Sequence, residues 1–163
     1  MLLIDRTGAI ADRWLVIDGE EPLPAEGPVI LPLDRIAEAE GRPETGIHLP
    51  NDTDPRALVA RFPDLALVSV EFPSFADGRG FSIGRSLREL GYAGRLRATG
   101  PVIADQFAYL LECGFDEVAV PEDVARRQPV EHWMAQLTRI GLAYQRGRTG
   151  RSSIPEKRHA AHA

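Results

Sequence analysis

Phe72 to Arg85 reads FPSFADGRGFSIGR and holds the densest set of residues suited to gripping a ligand. Gly78, Arg79, Gly80 and Ser82 stand together, and Arg85 follows. Glycines let a backbone approach a ligand closely, and the free N–H groups at the start of a following helix favour an anion. Arg79 or Arg85 offers a bidentate guanidinium to phosphate, sulfate or carboxylate. These five residues are the anion-binding candidates. The stretch is not a Walker loop, because no Gly-Lys-Ser/Thr follows. It is not a dinucleotide fingerprint either, because GRGFSIG lacks the GxGxxG spacing. A structural use of the same residues competes with the chemical one. Asp77-Gly78 makes a turn, Ser82 or Asp77 caps the helix, and Arg79 sits in water.

Other loops add supporting residues if the strands run parallel, because their C-terminal ends then share one edge, where ligands bind. That edge collects Glu71 and Asp77 from one loop, and Thr99, Asp105 and Gln106 from the next. Asp105 in a first helical turn complements the helix dipole and needs no other role. Glu71 closes an apolar run, so its carboxylate needs a partner; an arginine of the central loop is expected. Cys113 beside Gly114 reads as packing rather than a nucleophile. No HxH, HExxH, CxxC or Gly-x-Ser-x-Gly spacing occurs, so no metal site, cofactor loop or nucleophile elbow is expected.

The elements that must position these residues follow from hydrophobic period. Leu65–Val70 is nearly all apolar, as a strand covered on both faces should be. Ile83, Leu87 and Leu90 recur at helical spacing, with Gly91 as a C-terminal cap. Asp54-Pro55 reads as a cap and first turn for a helix carrying Leu58, Val59 and Phe62. Gly100-Pro101 opens a helix, and Asp116–Val120 is a strand. Pro129 splits the last helical region in two. From Ile47 to Val120 the order is β-α-β-α-β-α-β, which implies a single α/β domain with a mainly parallel sheet of βα repeats. An open three-layer sheet and a partial β/α barrel both fit. Residues 1–33 read as an irregular β section: Leu2–Ile4 and Trp14–Ile17 as a hairpin, Glu20–Pro28 as a linker-like loop, and Val29–Leu33 as a further strand. Asp34 reads as the cap of a short helix. The domain is expected over 1–145, with the regular part from 47 to 145.

Composition is that of an ordinary globular domain, 44% hydrophobic and 26% charged over 163 residues. The net charge of −5 is uneven. From Arg146 onward there are five Lys or Arg and one acid, leaving 14 basic against 23 acidic residues before it, a balance of −9. A body this acidic is a poor nucleic-acid binder. The tail 146–163 is small, polar and basic, and is expected to be disordered. No apolar run is long enough to span a bilayer, and the N-terminus does not read as a signal peptide. The lone Cys113 fits a reducing compartment, so a cytoplasmic protein is expected.

Phe72 to Ser82, Leu96 to Gly100, Asp105-Gln106 and Cys113 to Asp116 carry a resemblance. Over roughly residues 25–145 the chain resembles bacterial proteins encoded beside assimilatory sulfite reductase, which are labelled as a domain of unknown function or as an oxidoreductase. The resemblance implies an accessory protein of sulfite reduction and sulfur assimilation. Such a protein would bind a small oxyanion, the reductase or its electron donor. A small enzyme is the alternative, with Glu71 or Asp105 as acid/base and Arg79 as anion clamp. The resemblance carries over no catalytic residues, and no flavin, haem or iron–sulfur motif accompanies it.

Overall fold

A computed structural model describes residues 1–139. Strands β1 (Leu2–Asp5), β2 (Gly8–Ile10), β3 (Leu15–Val16), β4 (Val29–Pro32), β5 (Thr45–Leu49), β6 (Leu67–Glu71), β7 (Arg95–Thr99) and β8 (Glu117–Val120) form one eight-stranded sheet. Its order is β2-β1-β8-β7-β6-β5-β4-β3. From β3 to β8 every neighbouring pair is parallel, whereas β1 runs antiparallel to both β8 and β2. The α-helices are α1 (Arg79–Glu89), α2 (Phe107–Glu112), α3 (Glu122–Arg127) and α4 (Val130–Arg139). Three 3-10 segments, Leu33–Ala39, Pro55–Asp64 and Ala104–Gln106, fill other connections.

Six parallel strands stand in sequence order, and crossovers between parallel strands, which are right-handed as a rule, put their connecting segments on one face. Ile47, Leu49, Val68, Val70, Leu96, Ala98, Val118 and Val120 point to that face. They pack with Leu58, Ile83, Leu87, Phe107, Leu110 and Trp133 in a single apolar core. The other face has a different constraint. β2 and β3 lie at opposite edges, yet only Ala11 to Trp14 join them. A flat sheet of eight strands spaced ~4.8 Å apart would hold its edges about 34 Å apart. The five Cα steps from Ile10 to Leu15 reach at most about 18 Å. The sheet must therefore curl, with its edges drawn toward the helix-free face that Ala11–Trp14 cross. Of the two arrangements compatible with the sequence, the protein adopts the curled one, a half-barrel.

Several local expectations change. The N-terminal hairpin joins Leu2–Asp5 to Gly8–Ile10, not to Trp14–Ile17. Thr7 donates its N–H and hydroxyl to Asp5 Oδ1, at 2.7 and 2.6 Å, and closes the turn so early that the next apolar run is free to leave. That run becomes β3 on the far edge, parallel to β4. Asp34 does not cap: Pro32 holds the cap position, and Asp34 lies in the first turn. Asp54 does cap, accepting from Arg56 N at 3.0 Å, but its helix is 3-10 and contains Pro63, which lacks the donor an α-helix needs there. The segment after Gly100-Pro101 turns helical only at Ala104. Pro129 separates α3 from α4 as expected, and Trp133 is fully buried. Ile140, Leu142, Tyr144 and the basic tail lie outside the described residues.

Candidate functional site

Two regions hold the candidates: the rim loop between β6 and α1, and the concave face of the sheet. On the rim, Asp77 organises the start of α1. Its carboxylate accepts from Arg79 N at 3.1 Å, from Arg79 Nη2 at 2.7 Å and from Asn51 Nδ2 at 2.8 Å. The Arg79 guanidinium holds the Asp77 carboxyl down to about 2. Arg79 is thus paired within its own loop, with its side chain 60% exposed. Among the described residues, no ion pair joins it to Glu71 or Asp105. Gln106 ties the rim together, donating Nε2–H to the Phe75 carbonyl at 2.7 Å while its Oε1 accepts from Ile103 N at 3.1 Å. The Ser74 hydroxyl accepts from Ala76 N at 3.2 Å. The result is a pinned loop that presents Phe75, 58% exposed, to solvent. Ser82, Arg85 and Asp105 are exposed, and Arg85 lies close enough to Cys113 and Tyr109 to act on both electrostatically. Burial pushes the Cys113 thiol up, which fits a packing role.

The glycines of this stretch are spent on packing. A Cβ on Gly80 would come within 2.5 Å of the Phe72 ring, and one on Gly84 would enter the Phe115 ring. Phe72 meets Phe81 and Phe115 edge-on, with ring centroids 5.1 and 5.8 Å apart. Gly80 and Gly84 let α1 settle onto this aromatic group. Gly78 is exposed and nothing would meet its Cβ.

The concave face adds Ser69, Arg97 and Glu117, which carry no motif in the sequence. Register aligns His48, Ser69, Arg97 and Glu117 on four adjacent strands, with Glu71 and Thr99 one pleat further along. Inward-facing barrel positions are usually filled by branched apolar side chains. Here Ser69, Arg97 and Glu117 are 2%, 2% and 1% exposed. Arg97 donates from Nε to Glu117 at 2.7 Å and grips Asp12 with Nη1 and Nη2 at 2.8 and 3.0 Å. Arg95 pairs with the other Glu117 oxygen. Burial opposes the charge on Asp12, but the Arg97 and Trp14 hydrogen bonds outweigh it and hold the carboxyl below its usual range. Arg97 therefore fastens Ala11–Trp14 across the concavity. A space of about 300 Å³ remains between them, lined in part by Trp14, Arg95, Arg97 and Glu117.

Beside this ion cluster runs a chain of neutral groups. Ser69 Oγ lies 2.7 Å from Thr99 Oγ1 and 3.1 Å from His48 Nδ1. Burial pushes the His48 imidazole below its ordinary value, partly offset by the charge of Glu71. Register puts Glu71 on the same sheet face as His48, two positions beyond its partner Ser69, and no ion pair joins it to an arginine among the described residues. Two of the supporting residues, Glu71 and Thr99, thus belong to the concave face rather than to the Arg79 loop. The available signal was the alternation in Arg95-Leu96-Arg97-Ala98-Thr99, which gives one strand face to polar groups. No group of three or more His, Cys, Asp or Glu among the described residues is placed to hold a metal. No described helix is long and apolar enough to cross a membrane.

Residues 46–154 match the family described as Bacterial protein of unknown function (DUF934). No curated protein and no solved structure matches the chain.

Proposed function

We propose, from the premise that this chain belongs to that family of bacterial proteins of unknown function, that it is an accessory protein of assimilatory sulfite reduction that docks on the reductase or its electron donor through the rim loop. The sulfur connection rests on the resemblance of Phe72–Ser82 and the shorter motifs after it. One observation carries the docking: Phe75 is held exposed on a loop whose own hydrogen bonds fix it beforehand. An aromatic anchor that needs little ordering on binding is what interface hot spots use. Arg79 stands three residues past the Phe75-Ala76 tip, at the start of α1, and its side chain is 60% exposed. Asp77 already occupies that guanidinium, so a partner's carboxylate or a free oxyanion alike must share Arg79 with Asp77 or displace it. Purified protein and sulfite reductase are expected to co-elute in size-exclusion chromatography, and Phe75→Ser with Arg79→Ala to abolish the complex. Unchanged co-elution of the double variant would remove the rim from the reading. Saturable sulfite binding lost in Arg79→Ala would instead support the oxyanion form.

A second reading, a small enzyme at the C-terminal edge of the sheet, has its own support. The His48–Ser69–Thr99 chain, with Glu71 beside it, places an imidazole and a carboxylate near strand ends, where (β/α) folds work. Turnover by the purified chain without the reductase supports this reading. Stimulation only in the reductase's presence supports the first.

A further inference from the structure

Ala11–Trp14 crosses the concave face without closing down on it: a space of about 300 Å³ remains beneath. Its walls are of two kinds. Leu3, Ile10, Trp14 and Ala66 are apolar, whereas Arg13, Arg95, Arg97 and Glu117 are charged. Ligand pockets run from about 300 to 1,000 Å³ and combine apolar walls with a few convergent polar groups. We infer that this space binds a small carboxylate with an apolar body, its carboxylate held by the Arg95 guanidinium. Neither the rim loop nor His48 lines the space, so the site lies beyond both readings above.

The ligand class follows from the hydrogen bonds already made. Glu117 is 1% exposed, and each of its carboxylate oxygens takes the Nε–H of one arginine, Arg97 at 2.7 Å and Arg95. Arg97 spends Nη1 and Nη2 on Asp12 at 2.8 and 3.0 Å. Arg13 pairs with Glu44 at 2.7 Å. Asp12 and Glu44 thus answer Arg97 and Arg13 from outside the lining, and Arg95 is the cation left for a ligand. Its Nη1 and Nη2 make no hydrogen bond to the described residues, and Asp5 Oδ2 stands 3.7 Å from Nη2. A fork of N–H donors matches a carboxylate. An ammonium would meet three arginines and find the lining carboxylate, Glu117, engaged at both oxygens.

The apolar body follows from what stands beside the ion cluster. Register sets Leu3 two positions from Asp5, the partner of Glu117, and opposite Ile10, so this apolar pair shares the concave face with the arginines. A ligand body against Leu3, Ile10 and Trp14 takes apolar wall out of water, which water filling the same space would not do. Arg95 is 43% exposed and also lines a wider space of about 660 Å³, with Asp5, Arg6 and Arg88, at the N-terminal ends of β7 and β8. The two spaces adjoin at Arg95, where the ligand's charged end is held.

The test follows the Trp14 indole N–H by nitrogen-15 NMR of the full chain. The chain has two tryptophans, and Trp133 is fully buried on the helix side, so Trp14→Phe assigns the signal. The probes are benzoate, benzamide, benzylamine and sulfate: one ring with an anionic, a neutral or a cationic end, and an anion without an apolar body. Benzoate is expected to shift the Trp14 signal saturably, benzamide about tenfold more weakly, and benzylamine and sulfate not at all. Arg95→Gln should raise the Kd for benzoate about tenfold, the loss of one charge-assisted contact. Ala66→Leu fills the space from an exposed position that takes part in no ion pair, and should abolish the shift while thermal unfolding stays close to wild type. Benzamide or benzylamine binding as tightly as benzoate would overturn the carboxylate class, and sulfate binding as tightly would overturn the apolar body. A Trp14 signal that no probe moves, or a benzoate shift that survives Ala66→Leu, would overturn the site itself.

Discussion

The two sides of the sheet around β6 and β7 contrast sharply. On the helix side, the conspicuous stretch Phe72–Arg85 uses Gly80 and Gly84 to seat α1 on Phe72 and Phe115, and pairs its arginine with its own aspartate. On the concave side, scattered residues with no motif form a continuous polar row under a four-residue strap. Glycine-rich text in a sequence thus records where backbones must come close. Buried polarity, which records where something other than packing is being held, leaves a fainter trace.

The largest effect expected from this contrast is on the concave side. Glu117→Ala leaves Arg97 and Arg95 without their shared acceptor in a site 1% exposed, and should cost about 3–5 kcal/mol in urea unfolding. A loss below about 1 kcal/mol would mean that Arg97 and Arg95 find water in place of Glu117 in the folded state. On the helix side, Gly84→Ala should destabilise by about 1–3 kcal/mol, because the Phe115 ring must move, despite the better helix propensity of alanine. A stabilised variant would show that α1 does not sit that close.

Acid sharpens the comparison next. The folded His48 imidazole binds its proton less well than the unfolded one, whose value is 6.5. The unfolded chain therefore takes up more protons below that pH. His48 should cost stability as pH falls below about 6.5 and contribute no slope well above it. His48→Gln should flatten that part of the profile. Asp77 acts lower: its carboxyl, held at about 2 against 3.8, supports the fold above 3.8 and loses that support on the way down to about 2. The smallest expected effect is that of Arg79→Ala, which should leave thermal unfolding close to wild type because the side chain is mostly in water. A large drop would move the rim loop from the surface into the framework of the fold.

Much of the helix side was legible because its signals are local. The apolar run of β6, the spacing of Ile83 and Leu87, Gly91 after α1, the Asp54 cap and the break at Pro129 all act within a few residues of themselves. The N-terminal section misled because two apolar runs flanked one turn, and only the short distance between Asp5 and Thr7 decided which run paired. The concave row was illegible for a different reason. Alternation in Arg95–Thr99 separates two faces but does not say which one water reaches. The group that covers Arg97 is Asp12, 85 residues away in the chain. Glu71 closes an apolar run and reads as needing a partner; the register sets it on the same face as His48 of the adjacent strand, which no spacing within one strand encodes.

The central claim is that the inner row is a held, water-poor site rather than a solvated face. The most direct measurement is the titration of the His48 ring nitrogens in the folded chain. The account predicts a neutral imidazole at pH 7, titrating below 6.5, whose Nδ1 signal changes when Ser69 is replaced by alanine. A ring that titrates at or above 6.5 and ignores Ser69→Ala would contradict it.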